Sequence, residues 1–331
     1  MKKVITVCPY CGTGCKINLL VENDKVVGAE GANGRTNEGQ LCLKGYYGWD
    51  FLNDTNLLTP RLKSPMIRRE RGGKFEAVSW DEAIEFASSR LSAIKAKYGP
   101  DAIMTTGSAR GPGNEANYVM QKFARAVLGT NNVDHCARVC HAPSVAGLRR
   151  TLGSGAMTNP IADVDETDCL LVFGADVTEN HAILGARLLA AQERGAPLVV
   201  VDPRRTRLAR AADLHVQLRL GTDVALVNGM VHAIFAHRWE DASYLATRCE
   251  NVEALRAAVA HWTPDEASRV TGVPAATIVD AARLYASSRR AFLAYGLGVT
   301  QHVGGTDTVI ALSNLALVTG HVGVVGSGIN P

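Results

Sequence analysis

From residue 168 onward the chain alternates short, wholly apolar runs with longer segments whose apolar residues recur every three or four positions. "CLLVFG", "PLVVVD", "LHVQL" and "AFLAYG" predict buried strands, because a strand covered on both faces reads as an unbroken apolar run. Between and after them, "ENHAILGARLLAAQERG", "VALVNGMVHAIFAH", "NVEALRAAVAHW", "PAATIVDAARLYAS" and "DTVIALSNLALVTG" predict helices. Strands spaced by helices imply parallel β-α-β units with right-handed crossovers.

The earlier chain has a different texture. "KVITV", "KINLLVEN" and "KVVGAEG" predict short strands among glycines, a small β-rich module. "SWDEAIEFASSRLSAIKAKYG" predicts a helix, with Ser79 and Glu82 at capping-box spacing, an apolar stripe through Ala83, Ile84, Leu91 and Ile94, and a stop at Gly99. "DAIMTTG" reads as a short buried strand leading into the glycine-rich "GSARGPGN", and "EANYVMQKFARAVLG" as a helix closed by Gly129. The expected organisation is a module over residues 1–60, part of an α/β domain over 61–135, and a Rossmann-like α/β domain over 136–331.

Composition narrows the classes. A 331-residue chain with 47% hydrophobic and 20% charged residues buries a core and is not a disordered polymer. A net charge of +3, with no basic tract interleaved with aromatics, argues against nucleic acid. No apolar stretch approaches membrane-spanning length and the N-terminus lacks a signal pattern, so a soluble cytoplasmic protein without membrane insertion is expected. In that compartment eight cysteines point to metal or redox chemistry rather than disulfides.

Cys8, Cys11 and Cys15 lie on one short stretch, and Cys42 follows after 26 residues. Four thiolates suit a 4Fe–4S cluster, although the spacing is not that of a compact ferredoxin. A structural zinc site is the alternative, but zinc usually takes two close cysteine pairs. Lys44, two residues past the last of the four, is expected close to the cluster.

Ligands of open parallel sheets bind beyond the carboxyl ends of the strands. Those positions carry Gly174 and Glu179 after the first strand, Asp202, Pro203 and Arg204 after the second, Gly221 and Asp223 after the third, and Leu297, Gly298 and Gln301 after the last. Glycines admit a pyrophosphate to the backbone, and a carboxylate suits a ribose hydroxyl or a guanine edge. The absence of G-x-G-x-x-G after "CLLVFG" counts against an ordinary NAD site. Plain turn chemistry stays open beside a nucleotide. Cys140, within "ARVCHAP", is open between a buried filler and a chemical role, and Cys136, Cys169 and Cys249 read as structural.

Taken together, "VCPYCGTGCKINL", "LCLKGYYGWDF", "GNEANYVMQKFARAVLGTNNVD", "ARVCHAPSVAGL", "VFGADVTENH", "VDPRRTRLA" and "YGLGVTQ" resemble the catalytic subunits of molybdenum or tungsten formate dehydrogenases that carry bis-molybdopterin guanine dinucleotide. The cytoplasmic type that feeds a hydrogenase is nearest in pattern. The resemblance implies that Cys8, Cys11, Cys15 and Cys42 hold a 4Fe–4S cluster, that Lys44 lies between cluster and pterin, that Cys140 ligates molybdenum or tungsten, and that His141 beside it handles a proton. It places Gly174, Glu179, Asp202, Pro203, Arg204, Gly221, Asp223, Leu297, Gly298 and Gln301 along one guanine dinucleotide; Arg110, in the glycine-rich loop, is open between facing the anionic cofactor and plain solvation. Arg138, or a helix starting near Pro143 and Ser144, would favour the Cys140 thiolate.

Formate and carbon dioxide are the implied substrate and product. The implied partners are an iron–sulfur electron-transfer subunit and, beyond it, a hydrogenase. The nearest relatives in pattern carry selenocysteine where this chain has Cys140, which implies slower chemistry. Family members also continue past "GVVGSGINP" into a substrate-orienting arginine and a further domain, so the chain reads as an N-terminal part. Two other readings follow: a reductase of nitrate or another oxo-anion in the same superfamily, and a non-catalytic electron-transfer or assembly module keeping only the cluster.

Overall fold

In the computed structural model, which describes residues 1–53, 62–107 and 113–331, the chain folds as two compact units. One holds residues 1–21, 27–46 and 139–331, and the other residues 22–26 and 47–138. The expectation had drawn its lines at residues 60 and 135 instead. The cysteine-bearing segment and the long α/β segment share one unit.

The N-terminal sheet runs in the order β1 (Lys2–Val7), β2 (Lys16–Glu22), β3 (Lys25–Gly31). β1 and β2 are antiparallel, with Lys2 opposite Val21 and Val7 opposite Lys16. In the second unit β4 (Met66–Ile67) and β5 (Glu76–Ala77) form an antiparallel pair, and β6 (Thr105–Gly107) lies parallel to β7 (Val133–His135).

The helix Trp80–Tyr98 in that unit is capped as its sequence suggests. The Ser79 hydroxyl accepts the N–H of Glu82, and Gly99 at φ +84° ends it. Its stripe is unburied, however, with Ile84 61% exposed. The strand expected over "DAIMTTG" is confined to its last three residues, because Pro100–Ala102 makes a 3-10 turn first. The helix Gly113–Lys122 continues through a wide turn over Phe123–Leu128 and stops at Gly129, φ +81°.

The larger unit is organised by a five-stranded sheet: β8 (Cys169–Phe173), β9 (Leu198–Val201), β10 (Leu214–Val216), β11 (Ala291–Tyr295) and β12 (Gly328–Asn330). Its order is β10-β9-β8-β11-β12, and every neighbouring pair is parallel. β8, β9 and β11 are buried along their whole length. One face packs on the helices Asp223–His237, Ala275–Ala286 and Gly305–Val318, through Leu171, Phe173, Leu226, Met230, Ile278 and Leu312. The other packs on Ala182–Glu193 and Arg207–Ala211, through Leu170, Val172, Leu188 and Leu208. The predicted α/β doubly wound domain is therefore present.

From β8 the chain steps outward through β9 to β10, then returns to the opposite side of β8 as β11 and β12. The order reverses between β8 and β11, and at such a switch point the two loops leave in opposite directions and open a crevice. The backbones meet closely there. The Gly298 N–H donates to the Gly174 carbonyl at 2.9 Å, and a Cβ on Gly298 would lie 2.8 Å from Gly174 Cα. Gly174 sits at φ +58°, and its own Cβ would fall 2.9 Å from Gly298. Any side chain at either position forces the loops apart. Gly298→Ala is expected to destabilise the fold by about 1–3 kcal/mol, read as a lowered urea midpoint with unchanged slope; an unchanged midpoint would mean that the loops separate freely.

Candidate functional site

The four clustered cysteines come together. Cys8, Cys11, Cys15 and Cys42 line one recess with Tyr10, Leu41, Lys44 and Gly45, closed on the far side by Asn180, Ala182 and Ile183. Cys8 donates its N–H to the Cys15 carbonyl at 2.9 Å, and Gly14 turns the loop at φ +66°. Cys42 is brought back by Asn37, a residue the motif reading passed over. Asn37 is 1% exposed, accepts the Lys16 N–H at 3.0 Å, and donates to the carbonyls of Lys16, Ala32 and Gln40. A Cβ on Gly31 would overlap the Gly39 carbonyl, so glycine is required where the returning chain crosses.

Burial pushes the Cys8 thiol up, and burial together with the neighbouring thiols Cys11, Cys8 and Cys42 pushes Cys15 up to about 11. A thiol set this mutually repulsive when ionised needs positive charge among it. Four thiols lining one recess, three from one loop and one from a distant turn, fit an iron–sulfur cluster.

Lys44 lines the same recess, and its Nζ donates to the Glu179 carbonyl at 3.4 Å. It thus bridges the cysteine module to the loop leaving β8. The helix expected from Glu179 onward is broken at His181, with a short turn Val177–Asn180 before it and Ala182–Glu193 after it. The His181 ring faces the cysteine loop, where a Cβ on Gly12 would lie 3.5 Å from Nε2. Burial, then the Lys44 charge, lowers the His181 pKa; burial, then His181, lowers that of His141. His141 therefore feels the charge of His181, and His181 that of Lys44 on the recess wall.

Cys140 ends the one-turn helix Ala137–Cys140, and His141 opens the next helix, Ala142–Leu152. That helix begins beside Pro143 and Ser144, as expected. Cys140 is half-buried. His141 Nδ1 is 2.9 Å from Ser144 Oγ, and the Thr300 hydroxyl donates to the Cys140 carbonyl. Arg138 does not have its charge to spare for the thiol, because its Nε is 3.1 Å from Asp134 Oδ1 and its side chain is largely exposed.

Along the strand ends, Asp202 is 4% exposed, accepts the Arg204 N–H at 2.8 Å, and lies 3.5 Å from the Arg204 guanidinium. Arg204 also reaches Asp176 at 3.9 Å, a carboxylate two residues past Gly174 that sequence reasoning missed. Glu179, Pro203, Arg204, Gly221, Leu297, Gly298 and Gln301 are exposed. Asp223 is buried at the start of the helix Asp223–His237; burial raises its pKa, opposed by its own backbone hydrogen bond and by His302. The switch-point loops of β8 and β11 thus gather Gly174, Leu297, Gly298 and Gln301, flanked by Asp202 and Arg204 after β9. Arg110 lies outside the described residues.

A four-thiol recess, a parallel sheet whose strand order reverses, and a Cys-His pair in the same unit define a redox α/β protein. The chain belongs to the molybdopterin oxidoreductase family: residues 61–331 match the molybdopterin oxidoreductase profile and residues 1–54 its Fe4S4 domain. Its cofactors are accordingly a molybdopterin and a 4Fe–4S cluster. The chain is similar to formate dehydrogenase H of Escherichia coli (strain K12), at 56% identity over all of the chain and 46% of that protein. It is 41% identical to the F420-dependent formate dehydrogenase 2 subunit alpha of Methanococcus maripaludis, over all of the chain and 47% of that protein. The chain spans about half the length of these curated relatives. Among solved structures, acetylene hydratase from Pelobacter acetylenicus superposes with a TM-score of 0.84 at 26% identity, over 99% of this chain and 45% of that one. No helix among the described residues is long and apolar enough to cross a membrane.

One buried and two half-buried rings set a pH dependence. His321 is 2% exposed, donates to the Tyr285 carbonyl at 3.1 Å, and like His141 and His181 is pushed below the ordinary 6.5 by burial. The unfolded chain takes up the protons that these rings refuse. Their contribution is therefore fully present above pH 6.5 and lost as pH falls through it toward the lower folded values. The cofactor-free protein is expected to show a lower urea midpoint at about pH 5.5 than at about pH 7.5, with a flatter dependence in His321→Gln. Equal midpoints would contradict neutral rings.

Proposed function

We propose that the protein containing this chain oxidises formate to carbon dioxide, releasing one proton and two electrons, or runs the reverse reaction. The observation that carries this reading is the four-thiol recess, with Lys44 on its wall and His181 against the cysteine loop, in the same unit as the Cys140–His141 pair. The names of the relatives that align with the whole chain support formate over nitrate or another oxo-anion, and over a module without catalysis.

Cys8, Cys11, Cys15 and Cys42 would hold the 4Fe–4S cluster. The crevice loops around Gly174, Asp202, Arg204, Gly221, Asp223, Leu297, Gly298 and Gln301, with Glu179, Pro203 and Arg110, would hold one guanine dinucleotide of a bis-molybdopterin cofactor. When bound, the molybdenum or tungsten centre supplies the two-electron acceptor that no side chain can provide. Cys140 is its protein ligand through sulfur. His141, kept neutral by burial, is in the form that accepts a proton, and Ser144 holds its Nδ1 so that the ring does not turn. Lys44 places a positive charge on the recess wall, where it steadies the added negative charge of a reduced cluster. Electrons pass on to an iron–sulfur subunit, and a hydrogenase is a fitting final acceptor.

The purified cofactor-loaded protein is expected to reduce a viologen dye with formate and to fail to oxidise the reduced dye with nitrate. Cys140→Ala should lower formate turnover by about two orders of magnitude or more, and His141→Ala by about 100-fold. Cys42→Ala should remove the iron while leaving the fold. Nitrate turnover, or a Cys140→Ala protein with full formate activity, would sink the reading.

A further inference from the structure

We propose that Thr300 is a positioning residue for Cys140, tying the loop at the β8–β11 switch point to the cysteine through a single hydroxyl. This rests on the proposed reading in which Cys140 holds the metal and that loop touches the dinucleotide. Thr300 is 2% exposed and donates to the Cys140 carbonyl, 160 residues away in sequence. That carbonyl stands at a corner of the chain. The helix Ala137–Cys140 ends there, and His141 at φ −126° and ψ +11° turns the backbone.

Thr300 is itself held from both sides. It closes the one-turn helix Leu297–Thr300, and the start of that helix is fixed by the Gly298 hydrogen bond to Gly174. Behind it, a Cβ on Gly305 would lie 2.3 Å from the Thr300 carbonyl, so the glycine lets the next helix press against it. A β-branched side chain has few rotamers, which keeps the hydroxyl aimed. Downstream of the cysteine, the helix Ala142–Leu152 is seated on Gly305–Val318, where a Cβ on Gly147 would meet Val309 at 2.6 Å. The backbone downstream of Cys140 is thereby fixed, and Thr300 holds the carbonyl at the end of the helix before it. A shift of the Leu297–Gln301 loop is passed to Cys140 through this hydroxyl.

The test uses the cofactor-loaded protein containing this chain with Thr300→Val, which keeps the shape and removes the hydroxyl, and Thr300→Ser, which keeps the hydroxyl. Molybdenum and iron content, kcat and KM for formate, and the EPR spectrum of the partly reduced molybdenum centre are measured for each. Thr300→Val is expected to retain both metals, to lose about ten-fold or more in kcat with KM changed by less than about two-fold, and to show shifted EPR g values. Thr300→Ser should restore both spectrum and kcat. A Thr300→Val protein with the parent spectrum and kcat, or one that loses its metals in common with Thr300→Ser, overturns the proposal in favour of a purely structural hydroxyl. Should Thr300→Val not accumulate, Thr300→Ala is read by the same spectrum and the same criteria. Cys140→Ser separates the two levels: if it leaves the parent EPR spectrum unchanged, the reading of Cys140 as metal ligand fails, and the role of Thr300 with it.

Discussion

The contact on which the functional end of the larger unit depends is the meeting of two bare backbones at Gly174 and Gly298. A parallel sheet whose strand order reverses sends one loop to each face, and the loops can stay together at the reversal only where nothing projects between them. With Cβ atoms at these positions the two strands would still pair, since β8 and β11 are held by their own register along five residues. What would be lost is the alignment of everything that leaves them. The β8 loop carries Asp176 to Arg204, and Glu179 and His181 to the cysteine module, while the β11 loop carries Thr300 to Cys140. One close approach therefore sets two separate parts of the site relative to each other.

The strands and helices of this unit were largely legible because each is buried in a single way. Runs such as Leu198–Val201 are covered on both faces and read as unbroken apolar stretches, while Asp223–His237 is packed nearly all round and reads as a long apolar helix. What escaped were elements whose reason lies elsewhere in the chain. β12 is three residues containing a glycine and an asparagine, and it exists because Thr158 and Asn159 bind it on one side and β11 on the other. The break at His181 likewise follows from tertiary demands, since the ring is turned toward the cysteine loop and no local signal marks it. Ile84 and Ile94 have the right spacing, yet spacing states only that a face is apolar and not that anything covers it.

At the site, ligand types and the corner at Cys140 could be read, but convergence could not. Three cysteines within eight residues announce a cluster loop; that Cys42 reaches the same recess depends on Asn37, whose four hydrogen bonds fold residues 32–40 back on Lys16. Nothing in the identity of an asparagine reveals such a role. Strand order belongs to the same class, because it is set by pairing over more than a hundred residues. Arg138 illustrates the opposite case: a charge beside a thiol in sequence pairs with Asp134, four residues back on β7.

The fold alone does not choose the reaction, since a protein named for hydrating acetylene shares this architecture at a TM-score of 0.84. In the reading proposed above, the groups at the Cys140 corner take part in that choice, and each is held differently. His141 is fixed through Ser144 on its own helix, so its ring is oriented locally and survives small movements of the sheet. The Cys140 backbone is fixed through Thr300 on a distant loop, so it follows the crevice. With the His141 ring anchored to one element and the Cys140 backbone to another, the setting of the pair depends on the assembled sheet and on the register of the two loops at Gly174 and Gly298.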